Sequence, residues 1–234
     1  HELRAPLTVI RSYVELLIEC PPDDENERRE FIRTIDSETQ NLSRMIDDLL
    51  DISRLTTGNM VWNMTEVDVQ ALIGAAVKQL EPRVRREGIA IDVVQAFEVP
   101  HVWGDRERLT QVLANLLENS VKFAGGGVVR LTTELITEES GGEVHELVQI
   151  AIEDTGPGIP AEMLERIFDR FTQARDSVRK RGAGLGLAIA REIVLHHGGR
   201  IWASNTAFGA RFCVVLPLSG HLDVISGVYD APKD

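Results

Sequence analysis

The sequence has almost no cysteine, no long apolar run and a shortage of positive charge, and each absence removes a class of protein. Its two cysteines, Cys20 and Cys213, stand far apart in a chain of 234 residues. They fit no metal-ligand spacing, which disfavours a zinc site and makes a reducing compartment, the cytoplasm, the expected location. No segment approaches the roughly 18 consecutive apolar residues that a membrane span needs, and the first residues carry no signal-peptide pattern, so no membrane contact is expected from this segment. Lys and Arg number 25 against 37 Asp and Glu, a formal charge of −12. That balance argues against general nucleic-acid or anionic-membrane binding. Internal repeats and low-complexity tracts are missing too. What is present, 43% hydrophobic and 26% charged residues, is the composition of a folded chain of one large or two small domains. Because it begins at His1 with no Met, the sequence reads as part of something longer.

Residues 1–20 repeat apolar positions at Leu3, Leu7, Ile10, Val14 and Leu17. Pro21 and Pro22 break this helix, and Asp23 or Asp24 can cap the next. The spacing resumes through Phe31, Ile35, Leu42, Met45, Leu49 and Ile52, with Glu38 the one polar intruder, and Gly58 closes it. Heptad spacing on both arms predicts an antiparallel helical hairpin over residues 1–58. Two helices bury little alone, so pairing with a second copy as a four-helix bundle is the economical arrangement. A coiled-coil spacer without chemistry fits the same period.

After residue 60 the period changes. Helices are expected at 71–77, 106–123, 161–168 and 185–196, and strands at 89–94, 128–136, 147–152, 200–203 and 212–216, with a turn-rich link at 138–143. This order predicts a sheet with helices on one face. Residues 59–218 are read as this second domain and 219–234 as a tail or linker.

Four segments could carry chemistry. On the helix from Arg106, a polar stripe holds Arg108, Gln111, Asn115, Asn119 and Lys122. Two Asn one turn apart and a Lys offer carboxamide oxygens to a hard cation and an ammonium to phosphate, although an ordinary solvated face is the plainer reading. In Glu153-Asp154-Thr155-Gly156-Pro157-Gly158-Ile159-Pro160 an acid ends an apolar strand before a turn whose glycines allow close ligand approach. A surface Pro-Gly turn fits equally.

Gly182-Ala183-Gly184-Leu185-Gly186-Leu187 opens a helix, where backbone N–H groups can face a phosphate. It matches neither the dinucleotide fingerprint nor Walker A. The basic run Arg170, Arg175, Arg179, Lys180 and Arg181 precedes it. In His1-Glu2-Leu3-Arg4-Ala5-Pro6-Leu7, Glu2 could accept the ring proton as His1 attacks phosphorus. Pro6 within a helix is expected to cost a hydrogen bond and introduce a kink. His196 and His197 are read as routine helix-end residues. His101, His145 and His221 fall in expected loops.

Together these segments resemble the catalytic core of a bacterial two-component sensor histidine kinase over about residues 1–217. His1-Glu2-Leu3-Arg4 with Pro6 resembles the H-box, Asn115 to Phe123 the N-box, and Asp154 to Ile159 the first glycine box. Ile167 to Phe171 resembles the F-box and Gly182 to Leu187 the second glycine box. Gly209-Ala210-Arg211-Phe212 resembles the final glycine motif.

The resemblance implies an α+β fold, a helical hairpin dimerising as a four-helix bundle and then an α/β sandwich of the kind shared with Hsp90, gyrase B and MutL. It implies ATP and Mg²⁺ as cofactors, His1 as phosphoacceptor and Glu2 as its acid/base partner. Asn119, supported by Asn115, would hold the metal, Lys122 and Arg170 would contact phosphate, and Asp154 would recognise the adenine amine. Gly156, Gly158, Gly182, Gly184, Leu185 and Gly186 would shape the pocket and its lid. The implied partners are a second copy through residues 1–58 and the receiver domain of a response regulator, with no nucleic acid. Ala5 stands where the family often has Thr or Asn, which implies weak phosphatase activity. A catalytically degenerate dimerising scaffold, or another ATPase of the same fold, would share part of this pattern.

Overall fold

The computed structural model describes residues 3–95, 101–140, 143–172 and 184–218. The chain divides into two compact units, residues 1–60 and 61–234. Among the described residues no helix is long and apolar enough to cross a membrane.

The first unit is a hairpin of α1 (Arg4–Glu19) and α2 (Glu25–Thr56). Pro21 and Pro22 cannot continue α1, and Asp24 opens α2 by accepting a hydrogen bond from the Asn26 N–H at 3.0 Å. Gly58, at φ 68°, follows its end. The Tyr13 and Phe31 rings meet edge-on at 5.0 Å across the hairpin. On α1 the covered positions are Pro6, Val9, Ile10, Tyr13 and Leu17, whereas Leu3, Leu7 and Val14 of the expected seam stay exposed. Pro6 stands in the first turn of the described helix.

Among its described residues the second unit packs three helices against a mixed sheet. Its elements are β1 (Met64–Val67), α3 (Val69–Glu87), β2 (Ala90–Gln95), β3 (Val102–Asp105), α4 (Arg106–Phe123), β4 (Val128–Ser140) and β5 (Glu143–Asp154), followed by a 3₁₀ turn (Ala161–Met163), α5 (Gly186–His196), β6 (Arg200–Asn205) and β7 (Ala210–Pro217). The sheet order is β2-β4-β5-β7-β6, parallel only between β2 and β4, and β1 with β3 forms a separate antiparallel pair.

Alternation on the strands turns Val129, Leu131, Ile150, Ile152, Phe212 and Val214 inward. Leu109, Val112, Leu113, Leu116 and Leu117 of α4, with Ile189 and Ile193 of α5, are buried with them. Helix α4 touches both other helices and β5, so it is the central helix of the layer. Truncating one of these leucines to Ala would cost about 2–5 kcal/mol.

Three local expectations change. The stretch 161–168 is a 3₁₀ turn followed by further turns, anchored by buried Phe168, rather than a helix. Its backbone bonds span three residues, as in Met163 N–H to the Pro160 carbonyl and Arg166 N–H to the Met163 carbonyl, with one four-residue bond from the Ile167 N–H to the same Met163 carbonyl. The β4–β5 ladder runs on to Ser140 opposite Glu143, through residues expected to form a turn. His145 therefore lies within β5, buried and opposite Glu138, not in a loop. The four-residue strands β1 and β3 were not expected at all.

The entrance to α4 is built from residues distant in sequence. Asp105 caps the helix, its Oδ1 accepting from the Glu107 and Arg108 N–H groups and its Oδ2 from the Asn63 N–H. The Asp105 N–H donates to His197 Nε2 at 2.9 Å. An amide can only donate, so Nε2 is the bare nitrogen, and His197 Nδ1–H donates to the Ile193 carbonyl at 2.7 Å. Trp62 stacks on His196 at 3.9 Å. A Cβ at Gly104 would sit 2.6 Å from Leu109 and 2.8 Å from His197. His197 is thus a buried connector rather than a routine helix end, and desolvation holds its pKa below the ordinary imidazole value.

Candidate functional site

The opposite half of α4 carries the polar stripe. Arg108 and Gln111 bond to each other, Nη1 to Oε1 at 2.9 Å, and lie towards the capped end. Asn115 and Asn119 are half-buried. Asn115 Nδ2 donates to the carbonyl of Gly186, the first residue of α5, at 2.9 Å. Asn119 Nδ2 donates to the Asn115 carbonyl at 2.8 Å. Both carboxamides are thereby oriented, and among the described residues neither Oδ1 receives a hydrogen bond. The approach is close: a Cβ at Gly186 would lie 3.3 Å from the Asn115 carboxamide, which would have to shift by a few tenths of an ångström. One turn on, Lys122 Nζ stands 5.2 Å from the centre of the Phe123 ring.

Ser120, fully buried between Asn119 and Lys122, connects this stripe to the end of β5. Its hydroxyl lies beside the Asp154 carboxyl, close enough to stabilise the ionised form, yet makes no hydrogen bond of good geometry. Asp154 is buried, and Oδ1 accepts from the Gly156 N–H at 2.9 Å and the Ala210 N–H at 3.2 Å. Burial pushes this carboxyl above the usual carboxylate range, while those two amides and the Ser120 hydroxyl pull it back in part. The backbone is drawn tightly around it. A Cβ at Gly156 would meet the Phe123 carbonyl at 2.6 Å, and one at Gly209 would meet the Asp154 carbonyl at 2.2 Å.

The glycine run before α5 is described from Gly184 onward. Gly184 has φ 66°, its carbonyl accepts from the Phe171 N–H at 3.0 Å, and a Cβ there would meet the Thr172 carbonyl at 2.8 Å. Leu185 is buried at the start of α5. Arg170 is exposed in the turns after Phe168, and among the described residues it joins no hydrogen bond or ion pair with α4. His1, Glu2 and Gly182, with Arg175, Arg179, Lys180 and Arg181, lie outside the described residues.

The structure therefore brings together Asn115, Asn119, Lys122, Asp154, Gly156 and Gly186. It adds Ser120, Asn205, Gly209 and Ala210, to which sequence reasoning assigned no role. Gly209 sits in a quoted motif. Ser120 is flanked by the stripe, but its contact to Asp154 spans 34 positions and leaves no local signal. Chemically the cluster offers two carboxamide oxygens that are unbonded among the described residues, an ammonium, and a partly desolvated carboxylate suited to a ligand N–H.

Two family models match the chain. The His Kinase A (phospho-acceptor) domain matches residues 1–58, and the histidine kinase-, DNA gyrase B- and HSP90-like ATPase domain matches residues 104–220. The sensor histidine kinase WalK of Bacillus subtilis (strain 168) is 34% identical over 209 residues, covering 88% of this chain and 33% of WalK. The histidine kinase ThkA, solved in complex with the response regulator protein TrrA, superposes with a TM-score of 0.70 at 28% identity, covering 94% of this chain and 59% of that one. Full-length ShkA, solved with AMPPNP, gives 0.66 at 29% identity, covering 93% and 44%. The chain spans about a third or less of the length of the curated relatives it matches first. With a phospho-acceptor domain at residues 1–58 and an ATPase domain at 104–220, the chain belongs to the histidine kinase family.

Proposed function

We propose that the chain is the core of a sensor histidine kinase, which transfers the γ-phosphoryl group of ATP to His1 and then to an aspartate of a response regulator. The observation that carries this reading is the position of Ser120. It lies on α4 between Asn119 and Lys122 while its hydroxyl adjoins Asp154. A carboxylate fit for the adenine amine and side chains fit for phosphates therefore share one end of one helix.

Asp154 Oδ1 is occupied by two backbone amides, which leaves Oδ2 to accept from the adenine amine. Gly156 and Gly158 let the loop approach the base, and Gly184, Leu185 and Gly186 line the phosphate side. Lys122 and Arg170 neutralise phosphate oxygens. Asn119 and Asn115 fit a hard cation, because their amide nitrogens are held on carbonyls and their Oδ1 atoms are unbonded among the described residues. Mg²⁺ bound there would offset charge on the phosphates. Transfer to His1 forms an N–P bond as the bond from phosphorus to the ADP oxygen breaks, and Glu2 takes the imidazole proton.

A dimer through residues 1–58 is supported by a second apolar stripe on each helix: Leu7, Val14 and Ile18 on α1, and Ile32, Ile46 and Leu50 on α2, all exposed in one chain. The response regulator and a cytoplasmic setting follow from the chemistry of such a kinase, and the ThkA complex with TrrA supports the former.

Incubation with Mg²⁺ and γ-labelled ATP tests the proposal. Acid-labile, base-stable label is expected on the wild type, about 100-fold more slowly on Asn119→Ala, and not on His1→Gln. Equal labelling of His1→Gln would remove His1 as the acceptor. Neither label nor nucleotide binding by the wild type would favour the degenerate scaffold.

A further inference from the structure

Asn205, the exposed last residue of β6, makes a paired contact 46 positions back in the chain. Its Oδ1 accepts from the Ile159 N–H at 2.8 Å, and its Nδ2 donates to the Ile159 carbonyl at 2.7 Å. One side-chain amide thus satisfies both backbone groups of Ile159, as a neighbouring strand would. The approach is close: a Cβ on Gly158, which sits at φ 78°, would come within 2.9 Å of Asn205 Oδ1.

This contact closes a frame around the loop that follows Asp154. At one end the Gly156 and Ala210 amides hold the Asp154 carboxyl. At the other end Asn205 holds Ile159. Between them Pro157 fixes its own φ, so the path of four residues is set from both sides. Asn205 and Ala210, one from each fixing, flank the turn joining β6 to β7, which is itself tied by Thr206: its N–H donates to the Gly209 carbonyl at 2.8 Å, and its Oγ1 accepts from the Phe208 and Gly209 N–H groups.

We infer that Asn205 is a positioning residue for the nucleotide base, holding the 155–159 loop in its base-binding form before the ligand arrives. The inference rests on the reading of Asp154 as the adenine-recognising group. Losing the paired contact leaves the loop to be ordered at binding, which weakens ligands bearing the base and spares ligands that are phosphate alone. A residue that merely stabilised the fold would affect both alike.

The test is calorimetric titration of the full chain with ADP and, separately, with inorganic triphosphate. Asn205→Ala is expected to weaken ADP about ten-fold while triphosphate stays within about two-fold. Asn205→Asp keeps an acceptor for the Ile159 N–H and loses the donor to its carbonyl, so it should fall between wild type and Asn205→Ala. Should Asn205→Ala not fold, the Asp variant decides. Unchanged ADP affinity, or equal weakening of both ligands, overturns the positioning role alone. A wild-type chain that binds triphosphate but not ADP overturns the adenine reading and this role with it.

Discussion

The two ends of α4 use polar residues in opposite ways. At its start, Asp105 and His197 form a closed set in which the Asp105 carboxylate oxygens, the Asp105 N–H and both ring nitrogens have protein partners. Towards its end, Asn115 and Asn119 commit their amide nitrogens to carbonyls and keep their oxygens unbonded among the described residues. Buried polar groups normally find partners, so the closed end reads as structure and the open end as a place where a ligand completes the set. The charged groups differ in the same sense. Burial lowers the His197 pKa and raises that of Asp154, disfavouring the charged form in each case, but only Asp154 stands beside an orphaned hydroxyl.

The largest effect that would break this contrast is on nucleotide affinity. Asp154→Asn places an amide where the adenine amine needs an acceptor, and ADP affinity should fall by at least about 100-fold by calorimetry. The thermal midpoint without ligand should move by only a few degrees, because a raised carboxyl pKa marks a group that is costly to keep ionised in the fold. Next, Asn119→Ala should lower the rate of histidine phosphorylation about 100-fold in a labelled-ATP time course, through loss of charge stabilisation in the transition state.

At the closed end the loss should appear in stability instead. His197→Ala leaves the Asp105 N–H without its acceptor and opens a cavity next to Gly104, for a loss of about 3 kcal/mol in urea unfolding. Its ADP affinity, measured well below the midpoint, should stay within about two-fold of wild type. The smallest effect is on pH dependence. The folded-state pKa of His197 lies below the unfolded value of about 6.5, so the unfolded chain binds more protons in that window. Its contribution to stability is complete above about pH 6.5 and declines as the pH falls towards the folded-state pKa. Urea unfolding at stepped pH should show this decline, and His197→Ala should lose that part of it.

Much of this contrast was legible in the sequence on its open side and little on its closed side. The stripe of Asn115, Asn119 and Lys122 repeats at the helix period, and Asp154 ends an apolar strand before glycines, so each declares itself locally. The limits of α4 were equally plain, since an apolar face runs from Arg106 to Phe123. His197, by contrast, looks like any imidazole near a helix end. Its role depends on Asp105, 92 positions away, and on strand β3, too short to show an alternation. Asn205 and Ser120 were silent for the same reason: their partners are tertiary. The turns at 161–168 imitate a helix because Met163, Ile167 and Phe168 fall at helical spacing, while the bonds beneath them are only partly helical.

The most direct measurement is the affinity for ADP with and without Mg²⁺, in wild type and Asn119→Ala. If the open end of α4 is a metal–nucleotide site, Mg²⁺ strengthens wild-type binding, and Asn119→Ala loses that increment while keeping the metal-free affinity. An Asn119→Ala chain that gains as much from Mg²⁺ as the wild type would contradict it.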